Sequence, residues 1–281
     1  MAFFGLFNKK NSDTGEMSFW GHIETLRRHI IRSVIVVLAI TVVLFCFPEF
    51  LFDTIIFGPL NNNFLTYRAF CKLSHMMELG DQLCFGNYTF KLQSLGLADQ
   101  FTSQMWISFL GGLILGSPYL LWEVWRFIKP ALHDKEKQAS TGFIISASML
   151  FIAGVLFSYY IIVPLTVNFL GNYQVSTMVE NNFTMDSYIS TVTTLTLASG
   201  IVFELPVVIY FLTRFGIVTP EFMRKYRKHA VVVILVVAAV ITPSPDITSQ
   251  MLVAFPLYFL YEASIFVSRY VIKQQQINSA V

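Results

Sequence analysis

The chain has 281 residues, of which 55% are hydrophobic and only 13% charged, with a formal net charge of +2. A water-soluble domain carries about 25% charged residues, so a chain whose whole surface faces water is excluded. The 28 Phe and 12 Tyr suit helices packed in lipid with aromatic ends at its two interfaces.

Residues 1–17 read as a flexible arm, with too short an apolar run and no small-residue cleavage site for a secretory signal. Residues 18–31, SFWGHIETLRRHII, read as an amphipathic helix, with Phe19, Ile23, Leu26 and Ile30 at helical spacing. It is expected on the cytoplasmic surface, leading into the first span. Six apolar stretches follow, at 30–47, 104–125, 142–163, 188–213, 230–242 and 250–268. A spanning helix needs about 20 apolar residues, which the second, third and fourth supply with ease. The fifth stops at Pro243 after about 13 apolar residues, or about 20 Å of helix. The sixth is expected to be interrupted by Pro256 and Glu262, so the last two form a short hairpin in thinned lipid. Between the first two spans, 48–103 is too long to be structureless and predicts a small cap. The second outside loop is read at 164–187. Gly112 and Gly116 in the second span predict a close helix contact. Thr219-Pro220-Glu221 reads as a helix start, with a capping hydroxyl, a proline at the first position and an acid in the first turn.

Charge placement gives orientation. Sixteen of the 19 Lys and Arg fall in the arm, the second and fourth connections and the tail; only Arg68, Lys72 and Lys91 fall in the alternate loops. The positive-inside rule then puts both termini in the cytoplasm. Cys71 and Cys84 share the first outside loop, which is an oxidising compartment in bacteria, and are predicted to form a disulfide. No metal pattern is present, and no His pairs with a Cys or carboxylate at ligand spacing. No phosphate-binding GxxxxGK[ST] loop, HExxH or GxSxG occurs, so neither a nucleotide-driven motor nor an intramembrane hydrolase is indicated, and no cofactor is expected.

Carboxylates are the residues that stand out. Glu204, in FELP, lies mid-span, where a charge costs about 2.5–3.5 kcal/mol, implying a polar partner or a wet cavity. Pro206 is expected to kink this helix. Glu123 is expected to pair with Arg126 one turn on, and Glu24 with Arg28. Taken alone, Glu136 in HDKEKQ is a solvated loop acid.

Several stretches, in order, resemble the TatC family, the receptor subunit of the twin-arginine protein translocase. They are FWGHIETLRRHI, SPYLLWEVWRFIKPALHDKEK, FSYYIIVPL, GIVFELPVVI, TPEFMRKYRKHA and ITPSPDITSQMLVAFPLYFLYE. The resemblance implies an all-α, glove-shaped bundle of six transmembrane helices, N-in and C-in, with a short final pair, and no enzyme activity. It implies a multi-pass protein of the bacterial inner membrane that binds twin-arginine signal peptides of folded precursors on its cytoplasmic face. It further implies single-span TatA/TatB-type partners, a homo-oligomer, a cycle driven by the proton-motive force, and no nucleic-acid partner. By motif position, Glu136 corresponds to the loop acid that contacts the signal peptide, with Phe127, Pro130 and Leu132 in the same patch. Glu204, with Tyr159 and Pro206, corresponds to the intramembrane polar site; Pro59, Pro164 and Asp246 match outside-face positions.

Two departures stand out. Where the family shows HLxELR this chain has Thr25, with Glu24 one residue earlier and Arg27 following. A shift of one turns a helical side chain by about 100°. Glu24, Thr25 and Arg27 are therefore candidate signal-peptide contacts, and the sequence leaves open whether Glu24 or Thr25 takes the second arginine. The first outside loop is also longer than the family implies. A small-solute secondary transporter shares the helix count and the buried acid but predicts an internal repeat, which the sequence lacks. A membrane scaffold is the third reading.

Overall fold

The structure is a computed structural model that describes residues 19–61, 63–76, 78, 80, 84, 92–128, 140–174, 176, 181–242 and 247–279. Helix α1 runs unbroken over Phe19–Phe45. The expected surface helix and first span are therefore one rod, since no residue between them interrupts the backbone ladder. A π-helical segment, Phe50–Ile56, and a 3-10 turn, Gly58–Leu60, carry the chain to α2, Leu65–Met76. These are the expected cap. Strand β1, Leu92–Gln93, pairs in parallel with β2, Phe183–Thr184, and ties the connection after Met76 to the one before Met185. Cys71 and Cys84 are joined by a disulfide within the first loop.

Helix α3 spans Asp99–Ile128, with Pro118 inside it. Helix α4, Ser140–Phe157, passes through a π-helical turn, Ser158–Ile162, into α5, Val163–Asn172. The third rod thus continues past the expected end at 163, and the connection expected at 164–187 begins only after Asn172. Pro164 does not end it, because it sits in the first turn of α5, where a missing N–H is tolerated. Helices α6, Met185–Phe203, and α7, Leu205–Arg214, form a fourth rod broken at Glu204. Thr184 caps α6, its hydroxyl accepting from the Ser187 amide at 3.2 Å. Thr219 likewise caps α8, Pro220–Lys225, accepting from the Phe222 amide at 3.2 Å. Helix α9, Arg227–Ile241, has 15 residues. Helix α10, Ile247–Ser279, has 33 and passes through Pro256 and Glu262 without interruption, contrary to the expectation. Glu262 is neutralised by Arg227 of α9 at 2.7 Å and accepts from the Tyr258 hydroxyl at 3.1 Å.

Among the described residues, four rods are long and apolar enough to cross a bilayer: Ile23–Phe45, Asp99–Ile128, Ile144–Asn172 and Met185–Arg214. The protein is a multi-pass membrane protein. Its outward apolar side chains, such as Val34, Ile35 and Val42 on α1, suit lipid contact. The core lies where Tyr188, Ile189, Val192 and Leu195 of α6 meet Leu51, Ile56, Ile107 and Val163, and it extends to Ala238 of α9 and Leu257 of α10.

Helix α1 packs chiefly on α3, antiparallel to it. At one end the Gln104 amide donates to the Phe45 carbonyl at 2.9 Å. In the middle, Gly112 lets the backbones meet: a Cβ there would come within 2.9 Å of the Val37 carbonyl and 3.1 Å of the Thr41 amide. Those are backbone atoms, so a side chain can enter only if α1 moves away. Gly112→Ala is expected to cost about 1–3 kcal/mol as overpacking. A lowered unfolding temperature in detergent is the check; an unchanged one shows that α1 backs away freely.

Candidate functional site

The basic end of the molecule holds the start of α1 and the end of α3. On α1, Glu24 accepts from Arg27 at 2.8 Å and from Arg28 at 3.4 Å. The expected Arg28 pairing is present, and Arg27 joins it. Each such exposed pair is worth about 0.2–1 kcal/mol, so the carboxylate can be exchanged to another cation at small cost. Thr25 donates its hydroxyl to the Gly21 carbonyl at 2.9 Å, which leaves oxygen lone pairs for an incoming donor.

One turn deeper lies a polar cluster that the sequence reading missed. His29 Nδ1 is paired with Glu123 Oε2 across the α1–α3 interface. The Tyr119 hydroxyl donates to the other carboxylate oxygen, Oε1, at 2.7 Å. Glu123 is 1% exposed and His29 14%. The expected Glu123–Arg126 pair does not form. Arg126 lies over the Trp122 ring, 4.9 Å from its centroid, because the Glu123 side chain faces α1. Phe127 meets the His29 ring edge to face at 6.3 Å. A groove of about 590 Å³ runs along this seam, lined among others by Leu26, His29, Ile30, Glu123 and Phe127. The available signal was two polar residues at similar depth on consecutive antiparallel spans; pairing by sequence proximity hid it. The expectation that no His pairs with a Cys or carboxylate at ligand spacing is overturned at His75, whose Nε2 lies 3.8 Å from the Sγ of Cys71, four residues before it. Cys71, His75 and Cys84 bring ligand atoms within 4.8 Å of one another, but the two sulfurs are joined and offer no thiolate to a metal.

Pro130, Leu132 and Glu136 follow the end of α3 and lie outside the described residues, as does Asp246. Of the intramembrane set, Glu204 stands at the break between α6 and α7, its carbonyl accepting from the amides of Val207 and Val208 at 3.0 Å. The break falls two residues before Pro206, which takes an early position in α7 where its missing N–H is no loss. Neither carboxylate oxygen of Glu204 has a hydrogen-bond partner among the described residues, and both are buried. Tyr159 has a structural contact: its hydroxyl donates to the Ile55 carbonyl at 2.7 Å, as Tyr188 does to Ile56 at 2.8 Å. Together they hold the π-helical segment against the bundle. Pro59 is buried beside them, its carbonyl accepting from Tyr67 at 2.7 Å, and Pro164 is buried as well.

Comparison with known proteins matches residues 21–256 to the family model described as Sec-independent protein translocase protein (TatC). The chain is 40% identical over 269 residues to the protein of that name from Blattabacterium sp. subsp. Periplaneta americana, covering 95% of this chain and 99% of the relative. It is 32% identical to the one from Carboxydothermus hydrogenoformans, covering 91% of this chain and 94% of the relative. The fold is similar to a crystal structure titled Twin Arginine Translocase Receptor- TatC, with a TM-score of 0.66 and 32% identity over 89% of this chain and 99% of that one.

Proposed function

Because the chain belongs to the TatC family of Sec-independent protein translocases, we propose that its basic end is the cytoplasmic face and that this face binds twin-arginine signal peptides. The small-solute transporter and the scaffold give way to a translocase component. The observation that carries the reading is the convergence at this end. The His29 contacts to Glu123 and Phe127 bring the Glu24 stretch of α1 beside the end of α3, from which the chain leads to Pro130, Leu132 and Glu136. Two guanidinium groups call for carboxylates in planar reach, and Glu136 and Glu24 supply them, with Thr25 adding an acceptor. Arg27 holds Glu24 until the peptide takes its place.

In this reading the chain crosses the inner membrane of a bacterium six times, N-in and C-in, with α9 and α10 as the short last pair in a glove-shaped bundle. Fifteen residues of α9 make about 22 Å of helix against about 30 Å of hydrocarbon, which supports locally thinned lipid. Copies of the chain associate, recruit TatA/TatB-type single-span subunits through the Glu204 region, and move folded precursors using the proton-motive force.

The test is a pull-down from membranes with a precursor carrying a twin-arginine signal and with its Lys-Lys variant. Lysine lacks the fork that binds a carboxylate at two points, so only the arginine form is expected to be retained. Equal retention of the two forms would sink the proposal.

A further inference from the structure

We infer that the His29–Glu123 pair is a positioning clamp that fixes the cytoplasmic end of α1 against α3, and so sets the spacing between the Glu24 stretch and the end of α3. The inference rests on the proposed signal-peptide reading for its consequence, but not for its geometry. Contacts along its length hold α1 on α3: Gln104 and Phe101 with Phe45 at one end, the Gly112 notch with Val37 and Thr41 in the middle, and His29 with Glu123 and Phe127 at the other. At the basic end of α1, Ile23, Leu26, Ile30 and Ile31 are exposed.

The notch is a pivot. His29 lies about 18 Å along the helix from Thr41, and Glu24 about 25 Å, at 1.5 Å per residue. A tilt of about 10° at the pivot then moves Glu24 by about 4 Å, whereas a binding constellation tolerates about 0.5 Å. A bond at His29 suppresses that tilt far better than one at the notch. The chemistry suits a clamp. Glu123 is buried, and both its oxygens are satisfied, by His29 and by Tyr119, so the carboxylate is held in one orientation. Phe127, in the last turn of α3, meets the imidazole in an edge contact at 6.3 Å and adds a second tie between the two helix ends. A carboxylate so held is a positioning residue, not a contact for the peptide.

The test uses the full-length chain in membrane vesicles, with Cys46→Ser and spin labels at Gly21→Cys and Val124→Cys reporting the distance between the two helix ends. The variants are His29→Leu, Glu123→Leu, the exchange His29→Glu with Glu123→His, and Gln104→Leu at the far end of the same interface. Each single Leu variant at the clamp is expected to broaden the distance distribution and to weaken twin-arginine peptide crosslinking by about tenfold or more, while the exchange restores both. Gln104→Leu is expected to leave crosslinking near normal. If the Leu variants do not reach the membrane, Glu123→Gln, which keeps the shape and loses the charge, carries the test with smaller shifts in the same direction. A distribution that stays narrow in the clamp variants overturns the inference. So does an equal crosslinking loss in Gln104→Leu, or an exchange that restores nothing. If the native chain fails to prefer the twin-arginine peptide over Lys-Lys, the functional reading fails, and the distance measurement still decides the clamp.

Discussion

Glu136→Ala is expected to abolish twin-arginine precursor binding, and Glu24→Ala only to weaken it. The difference follows from what each carboxylate gives up. Glu24 is already held by Arg27 and Arg28, so a peptide guanidinium replaces one exposed ion pair by another. Its removal also leaves two uncompensated arginines, which repel the incoming cations and add to the loss. Glu136 follows the matching stretch that carries Phe127, Pro130 and Leu132, whereas Glu24 is displaced by one position from the acid in HLxELR. Close charge pairs at interfaces couple by about 1.5–7 kcal/mol, which is more than tenfold in affinity, against about 0.2–1 for exposed pairs. Crosslinking of a signal peptide to each variant is the measurement, with Thr25→Glu as a gain-of-binding control. Normal crosslinking in the Glu24→Ala, Glu136→Ala double variant would falsify the carboxylate model. If Glu24→Ala alone is silent, the second arginine is read at Thr25 or by a backbone carbonyl.

Glu204→Leu is expected to stop transport while leaving precursor binding nearly intact and making the protein more stable. The opposed signs come from one observation. Both oxygens of Glu204 are buried and unpartnered among the described residues, and the residue sits where α6 breaks into α7. An unsatisfied buried polar group costs about 1–3 kcal/mol, so an apolar side chain of similar size relieves the bundle. A carboxylate with free lone pairs is in turn a strong acceptor for a polar group on a partner helix, where low dielectric strengthens the bond. The measurements are precursor export, signal-peptide crosslinking and the unfolding temperature in detergent. Transport at the native level in Glu204→Leu reduces the residue to packing. A lowered unfolding temperature shows instead that the carboxylate has a structural partner.

What the sequence by itself determined was whatever depends on a short stretch of chain. Apolar runs marked the spanning rods, because a helix buried in lipid must be apolar over its length. Thr219 and Pro220 announced a cap that the structure shows with its hydroxyl in place. Gly112 announced a close helix contact, because only a missing Cβ lets two backbones meet there. Cys71 and Cys84, close in one loop, are found joined. Where the chain folds back on itself, local rules failed. Pro256 does not interrupt α10, because buried neighbours such as Ala254, Leu257 and Leu260 hold the helix through the loss of one backbone bond. Pro164 does not end the third rod, because a π-helical turn sets it into a first turn. Glu123 turned to His29, far away in sequence, instead of to Arg126 one turn on. Which face of α3 meets α1, and at what depth, is fixed by the packing at Gly112 and not by any spacing along one helix. Only the tertiary structure could decide that pairing, since a side chain's partner across two helices depends on the rotation and register of both.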